Sequence, residues 1–235
     1  MKGRVFTIVP AAGSALRMGL GYSKAYLDIL GVPLLARTLR SLLESPLIDR
    51  ILTAVRPGET KLCQREILDK FDLAGKVDVI AGGDDRQHTV AAMLSRITPD
   101  RDLILIHDGA RPFVTPHLVK EVLEAAAKWG GVVSAVPVGD TVKLSEDNGQ
   151  TVTSTLDRNK IFLVQTPQAF QREVLCAAHK RARKGDFIGT DDASIVEWAG
   201  HSVRIVKGDH RNLKITTLED LEQARWIIDS KEVKS

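Results

Sequence analysis

The chain has 235 residues, a length that can bury a large core, and we expect one domain over residues 1–235. Its 33 Lys and Arg residues nearly balance 30 Asp and Glu residues, so the formal net charge is only +3. This balance indicates no basic surface for nucleic acid, and we predict no nucleic-acid partner.

The two cysteines and the N-terminal segment indicate in which cellular compartment the protein is expected. Cys63 and Cys176 lie far apart and outside any metal-binding spacing, which predicts neither a zinc site nor a disulfide and favours a reducing cytoplasm. An apolar strand is predicted from residue 5, which leaves no room for a signal peptide, and no apolar run approaches the ~20 residues of a membrane helix. We therefore expect a soluble cytoplasmic protein with no membrane partner.

Five short apolar runs predict the strands of a parallel sheet. They cover residues 5–10, 51–55, 77–82, 103–108 and 132–138. Runs that are apolar throughout are typical of strands covered on both faces. Amphipathic helices are predicted between them, two of which Pro33 and Pro116 open at their first turns. Beyond residue 170, the pattern predicts helices over 173–183 and 192–199, a strand over 203–206 and a closing helix over 218–231. The alternation predicts an α/β fold with a mostly parallel sheet flanked by helices.

One segment, residues 139–159, breaks this alternation. Its sequence, GDTVKLSEDNGQTVTSTLDRN, is polar and β-branched around Asn148-Gly149, which predicts a β-hairpin with a type I′ turn. A two-stranded ribbon is marginal alone in water, so we expect it to pack on another surface, most simply a second copy of the chain. The sequence therefore predicts a homodimer formed through a protruding 139–159 arm.

Polar residues concentrate just after the predicted strands, at the edge where open parallel sheets bind ligands. These residues are Gly13, Arg17 and Lys24 after the first strand, Gly82, Gly83, Asp84 and Arg86 after the third, Asp108 and Arg111 after the fourth, and Asp140 and Thr141 after the fifth.

The first of these loops, VPAAGSALRMGLGYSKAYL, carries two cations, Arg17 and Lys24. It lacks the GK[ST] of a Walker P-loop and the GxGxxG of a dinucleotide site, and no acidic residue ends the second strand to hold a ribose, which argues against a dehydrogenase. The backbone N–H groups of such a loop can approach phosphate oxygens, with Arg17 as a planar fork and Lys24 as a point charge. Considered alone, the loop is also compatible with an ordinary surface turn.

Asp108 and Lys214 extend the same hypothesis. Asp108 follows an entirely apolar strand, where a carboxylate suits a magnesium ion or a sugar hydroxyl, and a turn or helix cap is the alternative. His107 beside it is predicted to be a packed side chain. Lys214 lies between Leu213 and Ile215, so it must face away from whatever those neighbours bury. It is a third phosphate ligand if that face is a pocket, and an ordinary exposed lysine otherwise.

Eight short motifs occur together along the chain. They are PAAGSALRMG with SKAYL, AGGDDRQHTV, HDGARPFV, VGDTVK, TLDRN, QTPQAF, GTDDAS and GDHRNLKIT. In order and spacing, from residue 5 to about residue 225, they resemble the 2-C-methyl-D-erythritol 4-phosphate cytidylyltransferases of the non-mevalonate isoprenoid pathway. The resemblance implies a nucleotidyltransferase fold of the glycosyltransferase A type, CTP as co-substrate and Mg²⁺ as cofactor. It also implies a homodimer whose arm reaches the neighbouring active site.

The resemblance assigns roles to individual residues. Arg17 and Lys24 correspond to transition-state stabilisers on the triphosphate, and Arg158 and Lys214 to residues that aim the acceptor phosphate. The implied CTP-binding residues are Ala11, Ala12, Gly13, Gly82, Gly83, Asp84 and Thr89. The implied acceptor environment is Asp108, Arg111, Thr141, Arg158, Thr166, Thr190 and Lys214, with Asp108 also the metal ligand. Thr141 and Arg158 are expected from the partner subunit.

The chain departs from the family pattern at three positions, and two other functions stay open. Ala15 replaces the second glycine of the first loop, Ser23 replaces the proline before Lys24, and Gly109 replaces an alanine. A cytidylyltransferase for another alditol phosphate, such as ribitol 5-phosphate, would share the CTP half of the site. A non-catalytic nucleotide-binding module would be expected to lack the cations that this chain has.

Overall fold

The computed structural model describes residues 4–13, 23–98 and 102–232. Its strands are β1 (Val5–Pro10), β2 (Asp28–Ile29), β3 (Val32–Pro33), β4 (Ile51–Val55), β5 (Val77–Ala81), β6 (Leu103–Ile106), β7 (Gly131–Pro137), β8 (Lys143–Leu144), β9 (Ser154–Thr155), β10 (Phe162–Gln171) and β11 (Arg204–Lys207). Its helices are α1 (Leu34–Leu43), α2 (Thr60–Cys63, continued by a π-helical turn, Gln64–Asp69), α3 (Arg86–Leu94), α4 (Pro116–Trp129), α5 (Arg172–Lys184), α6 (Asp192–Trp198) and α7 (Leu218–Glu232). Two 3₁₀ turns span Lys24–Tyr26 and Arg158–Lys160.

A seven-stranded sheet organises the described residues in the order β11-β7-β10-β6-β1-β4-β5. The pairs β6–β1, β1–β4, β4–β5 and β11–β7 are parallel, and β10 is antiparallel to both of its neighbours. The predicted α/β fold with a mostly parallel sheet is therefore confirmed. The carboxyl ends of β6, β1, β4 and β5 meet at one edge, and this edge carries the candidate site.

Helices cover both faces of the sheet, as the apolar strands predict. Along β6, Leu103 and Leu105 face one core with α1 and α4, whereas Ile104 and Ile106 face the other with α3, α5 and α6. Helix α4 begins where the hydroxyl of Thr115 accepts a hydrogen bond from the Leu118 amide. A third apolar cluster packs α7 against β2 and the start of α1.

Strand β10 was not predicted from the sequence, and its composition explains why. Its sequence, FLVQTPQAFQ, contains polar residues and a proline, which cannot donate a ladder hydrogen bond inside a sheet. The structure accommodates Pro167 at an irregularity, because the register with β7 shifts between Gln165 and Gln168. The irregularity turns Thr166 toward the end of β6, so the unpredicted strand also supplies part of the site.

The 139–159 segment differs from a tight hairpin. Strands β8 and β9 do pair antiparallel, but residues 145–153 separate them. Asn148 and Gly149 have the positive φ values, 57° and 88°, that a type I′ turn requires. The rest of the loop is organised by the Asp147 carboxylate, which accepts hydrogen bonds from the backbone amides of Gln150 and Thr151. The prediction of strands flanking a two-residue turn is therefore wrong, and the role of the segment as a dimerisation arm stays a prediction.

Within the described ranges, no helix combines the length and the apolar character needed to cross a bilayer.

Candidate active site

A cavity of about 800 Å³ opens at the carboxyl ends of β1, β4, β5 and β6. Of the predicted site residues, its lining includes Ala11, Ala12, Gly13, Lys24, Gly83, Asp84, Thr89, Asp108 and Lys214. It also includes Arg56 and Asp85, which were not predicted, and Arg86, which was predicted at this edge of the sheet without a specific role. The loops after the first, third and fourth predicted strands therefore share one cavity, as expected. Asp140 and Thr141, after the fifth predicted strand, do not line it.

Lys24 enters the cavity from the 3₁₀ turn that follows the first loop. This turn is fixed to the rest of the domain, because Ser23 and Ala25 are buried. In addition, the Tyr26 hydroxyl donates a hydrogen bond to the carbonyl oxygen of Glu59 at 3.4 Å. Arg17, the other predicted cation of this loop, lies outside the described residues.

Asp108 lies at the centre of a cationic cluster. Its Oδ2 is 2.8 Å from Nζ of Lys214 and 3.7 Å from Nε of Arg111, and its Oδ1 is 3.8 Å from Nε of Arg86. Burial alone would raise the pKa of Asp108, but Lys214, Arg86 and Arg111 outweigh it and lower the pKa to about 2. The carboxylate therefore stays ionised at neutral pH and fixes three cations around one point.

A buried hydrogen-bond chain holds Asp108 from behind. His107 Nε2 lies 2.9 Å from the Arg111 carbonyl oxygen, which can only accept, so Nε2 carries the proton. His107 Nδ1 therefore accepts from the Thr166 hydroxyl at 3.1 Å, and the same hydroxyl accepts from the Asp108 amide at 3.0 Å. Burial lowers the pKa of His107 to about 4, so the ring is neutral at pH 7. The prediction that His107 is a packed side chain is confirmed.

The segment that carries Lys214 is held in place by hydrogen bonds to backbone carbonyl oxygens. The Ile215 amide donates to the Ala110 carbonyl oxygen at 2.9 Å, and Nδ2 of Asn212 donates to the Thr166 carbonyl oxygen at 2.7 Å. Ile215 is fully buried while Lys214 faces the cavity. Of the two alternatives for Lys214, the structure therefore supports the pocket-facing one.

Two glycines allow the strand ends to approach closely. A Cβ at Gly82 would lie 2.7 Å from Cβ of Ala12, and a Cβ at Gly109 would lie 2.8 Å from Cβ of Ala11. Such distances are far below van der Waals contact, so glycine is required unless the backbone shifts. Beside Gly82, the Thr89 hydroxyl accepts from the Gly83 amide at 3.0 Å and fixes the loop after β5.

Comparison with known proteins decides the family. Residues 5–230 match the model of the IspD family, 2-C-methyl-D-erythritol 4-phosphate cytidylyltransferase. The chain belongs to this family. A family member from Geobacter metallireducens is 42% identical over 230 residues, covering 97% of this chain and 98% of that protein.

Solved structures of the cytidylyltransferase family share the fold. The crystal structure of 4-diphosphocytidyl-2C-methyl-D-erythritol synthase from Anaerococcus prevotii has a TM-score of 0.84 and 30% identity, covering 97% of this chain and 96% of that chain. The 2-C-methyl-D-erythritol 4-phosphate cytidylyltransferase from Thermus thermophilus has a TM-score of 0.76 and 34% identity, covering 97% of this chain and 98% of that chain. The family, the enzyme class and the nucleotidyltransferase fold predicted from the motifs are therefore confirmed.

Other residues that the family resemblance singled out lie outside the described cavity lining. Thr141 and Arg158 are exposed in the 139–159 segment, where Nη1 of Arg158 donates to the Gly139 carbonyl oxygen at 2.9 Å. Thr190 is exposed in the loop before α6. Arg111 and Thr166 are buried behind Asp108. Arg111 faces the Asp108 carboxylate, and the Thr166 hydroxyl accepts from the Asp108 amide. A direct contact of either residue with an acceptor stays a prediction.

One ion pair beside the cavity was not predicted from the sequence. Nη2 of Arg86 lies 2.7 Å from Oδ2 of Asp192, whose other oxygen is 3.1 Å from Nε2 of the buried His179. Burial raises the pKa of Asp192, but Arg86 and His179 outweigh it, so the pKa is lowered. Arg86 belongs to the AGGDDRQHTV motif and Asp192 to the GTDDAS motif, and a helix begins at each of them. Their place in these motifs was the sequence signal that could have indicated the pair.

The described residues suit a magnesium ion that takes one carboxylate ligand from the protein, and not a site built from several protein ligands. Within the part of the chain that the structure describes, no group of three or more His, Cys, Asp or Glu side chains converges on a point. Asp108, however, lines the cavity, and Nε of Arg86 lies beyond hydrogen-bond distance from its Oδ1. Mg²⁺ commonly takes one or two carboxylates, with substrate phosphates and water as its other ligands, so this donor set suits it.

Proposed function

We propose that this protein transfers the cytidylyl group of CTP to 2-C-methyl-D-erythritol 4-phosphate and releases pyrophosphate, as one nucleotidyltransferase domain spanning residues 1–235. The observation that carries the proposal is the meeting of Lys24, Arg86 and Lys214 with Asp108 in one cavity of a chain of this family. Cations gathered around an open cavity suit a reaction between two phosphate compounds.

The chemistry follows from the charges of the reactants. A phosphate oxygen of the acceptor attacks the α-phosphorus of CTP, a new P–O bond forms, and the bond to the bridging oxygen of the β-phosphate breaks. The nucleophile is already ionised near neutral pH, so a general base is hardly needed, and positioning and charge neutralisation supply most of the catalysis. Arg17 and Lys24 would neutralise charge on the α-phosphate and on the leaving pyrophosphate.

The CTP half of the site would be built from the loops after β1 and β5. Ala11, Ala12 and Gly13 line the cavity, where their backbone N–H groups would bind the triphosphate. The base and ribose would contact the residues of the second loop, which are Gly82, Gly83, Asp84 and Thr89. The close approach of Gly82 to Ala12 supports this division, because it places the two loops side by side.

The acceptor half would surround Asp108. Lys214 would aim the attacking phosphate from its ion pair with Asp108. Arg111 would orient that carboxylate, Thr166 would fix the Asp108 backbone amide, and Thr190 would contribute from the α6 side. A magnesium ion would be held by Asp108 and by the phosphates of the nucleotide. When bound, it would neutralise phosphate charge and align the triphosphate.

The remaining residues would come from a second subunit, in a homodimer formed through the 139–159 arm. Thr141 and Arg158 would then complete the neighbouring site. Exposed apolar side chains in and beside the arm support this arrangement, since such a surface is usually covered. They are Leu144, Val152, Leu156, Phe162, Leu163 and Val164, with exposed fractions of 39–58%.

We place the protein in the cytoplasm. Cys63 and Cys176 are free thiols, with Cys63 buried, as suits a reducing compartment.

Pyrophosphate release tests the proposed function directly. Each of the four nucleoside triphosphates would be combined with 2-C-methyl-D-erythritol 4-phosphate or ribitol 5-phosphate, with and without Mg²⁺. Release only with CTP, the methylerythritol phosphate and Mg²⁺ is expected. Equal or faster release with ribitol 5-phosphate would move the assignment to another alditol phosphate, and no release with any pair would contradict cytidylyl transfer.

A further inference from the structure

The side chain of Gln87, in the first turn of α3, clamps a loop that is distant in sequence. Its Nε2 donates to the Phe187 carbonyl oxygen at 2.9 Å, and its Oε1 accepts from the Gly189 amide at 2.9 Å. One amide group thus binds a carbonyl and an N–H on either side of Ile188, which is 76% exposed. The Gln87 amide thus forms the hydrogen bonds that a neighbouring strand would otherwise form with the Phe187 carbonyl and the Gly189 N–H.

The clamped loop is also packed closely on α6. Phe187 stacks on Trp198 with ring centroids 4.8 Å apart. A Cβ at Gly189 would lie 2.6 Å from Cγ1 of Ile195, so the loop passes α6 at a distance that only glycine permits. Thr190, which follows directly, is therefore held between a tightly packed glycine and the capped first turn of α6.

The residue beside Gln87 connects the same loop to the cavity. Arg86 lines the cavity and lies 3.8 Å from Oδ1 of Asp108 and 2.7 Å from Oδ2 of Asp192. Asp192 is two residues beyond Thr190, so the loop that carries Thr190 ends at an ion pair facing the acceptor side of the site. The first turn of α3 therefore holds this loop at both ends, through Gln87 and through Arg86.

We propose that Gln87 is a positioning residue for the acceptor. It fixes the 187–190 loop so that Thr190 contacts the acceptor, an alditol phosphate. The proposal rests on the proposed function, which assigns Thr190 to the acceptor. Gln87 lies in α3, directly after the nucleotide loop of Gly83 and Asp84, so the clamp sets the distance between the two halves of the site. Both halves must be aligned for in-line attack, and small misplacements are costly.

Two substitutions test the hydrogen bonds of Gln87 while keeping a side chain of similar size. Gln87→Leu removes both hydrogen bonds with little change of volume. Gln87→Glu keeps an oxygen for the Gly189 amide but places a second oxygen against the Phe187 carbonyl. Each variant is expected to raise KM for the acceptor about tenfold and to lower kcat, while KM for CTP stays within about twofold of the parent.

Gln171→Leu is the matched control. Gln171 also donates its side-chain amide to a backbone carbonyl, that of Ala127, but at the end of β10 opposite the cavity. Its loss is expected to leave both KM values unchanged. A second readout is independent of turnover, because the Gly189 amide should exchange its hydrogen about tenfold faster in Gln87→Leu than in the parent.

The outcomes distinguish this proposal from the proposed function. A higher acceptor KM with a lower kcat and an unchanged KM for CTP, together with faster Gly189 exchange, supports it. An acceptor KM within twofold of the parent in both Gln87 variants overturns it, as does an equal rise of both KM values, which would make Gln87 a general support of the nucleotide loop. A parent protein without cytidylyl transfer overturns the proposed function and this proposal together, a result seen before any variant is made.

Discussion

The ammonium group of Lys214 lies 2.8 Å from Oδ2 of Asp108, so the segment before α7 meets the end of β6 inside the cavity. The same carboxylate also faces Arg111 and Arg86. Without it, three cations would lie close together and repel one another. Asp108 is thus the electrostatic anchor of this cationic cluster.

Asp108→Asn should lower kcat/KM for the acceptor by about 10²-fold, because a neutral amide no longer orients Lys214 or balances the neighbouring guanidinium groups. Steady-state pyrophosphate release measures this change. Asp78→Asn is the control, since Asp78 also pairs with an arginine, Arg50, but on an exposed surface. Parental kinetics in Asp108→Asn would contradict the anchor role.

Lys24→Ala should reduce kcat by about 10²- to 10³-fold with the fold intact, because it removes a cation from the charge that develops on the phosphates. We expect the same for Arg17→Ala. Lys120→Ala serves as the control, since Lys120 is an exposed lysine that pairs with Glu124 along α4. A turnover within about threefold of the parent in Lys24→Ala would remove its assigned role.

The two cysteines should differ in reactivity. Burial, assisted by Glu59, raises the pKa of Cys63 to about 12, so at pH 8 this thiol is protonated as well as inaccessible. Burial also raises the pKa of Cys176, but Arg172 opposes that effect and the side chain is only half-buried. Alkylation followed by mass spectrometry should therefore modify Cys176 at least about tenfold faster than Cys63. Equal rates would contradict the packing of α2 against the sheet.

The sharing of residues between subunits can be tested with two inactive variants. Lys24→Ala and Arg158→Ala would each be inactive alone. If Arg158 serves the neighbouring site, mixed dimers contain one site with both residues intact, and random mixing should restore about one quarter of the parental turnover. No recovery after verified subunit exchange would show that each chain completes its own site.

The sequence predicted those features that depend on local pattern. The apolar runs identified β1, β4 and β6 because strands covered on both faces need no polar alternation. Lys214 was expected to face away from Leu213 and Ile215, and it does. The strand ends then indicated where the cavity would form.

Features that depend on tertiary contacts were missed. Pro167 argued against a central strand, and only the register shift opposite β7 makes β10 possible. Arg86 was predicted only as one of the polar residues after the third strand, and no partner was predicted for it. Arg86 and Asp192 are distant in sequence, and no local pattern indicates that the fold brings them within 2.7 Å.

The proposed function requires an acceptor phosphate oxygen to attack the α-phosphorus of CTP. It is tested most directly by supplying 2-C-methyl-D-erythritol 4-phosphate labelled with ¹⁸O in its terminal phosphate oxygens and following the products by ³¹P NMR. Label is expected in the oxygen that bridges the two phosphorus atoms of the product, and none is expected in the released pyrophosphate. An unlabelled bridge, or CMP in place of the diphosphate product, would contradict it.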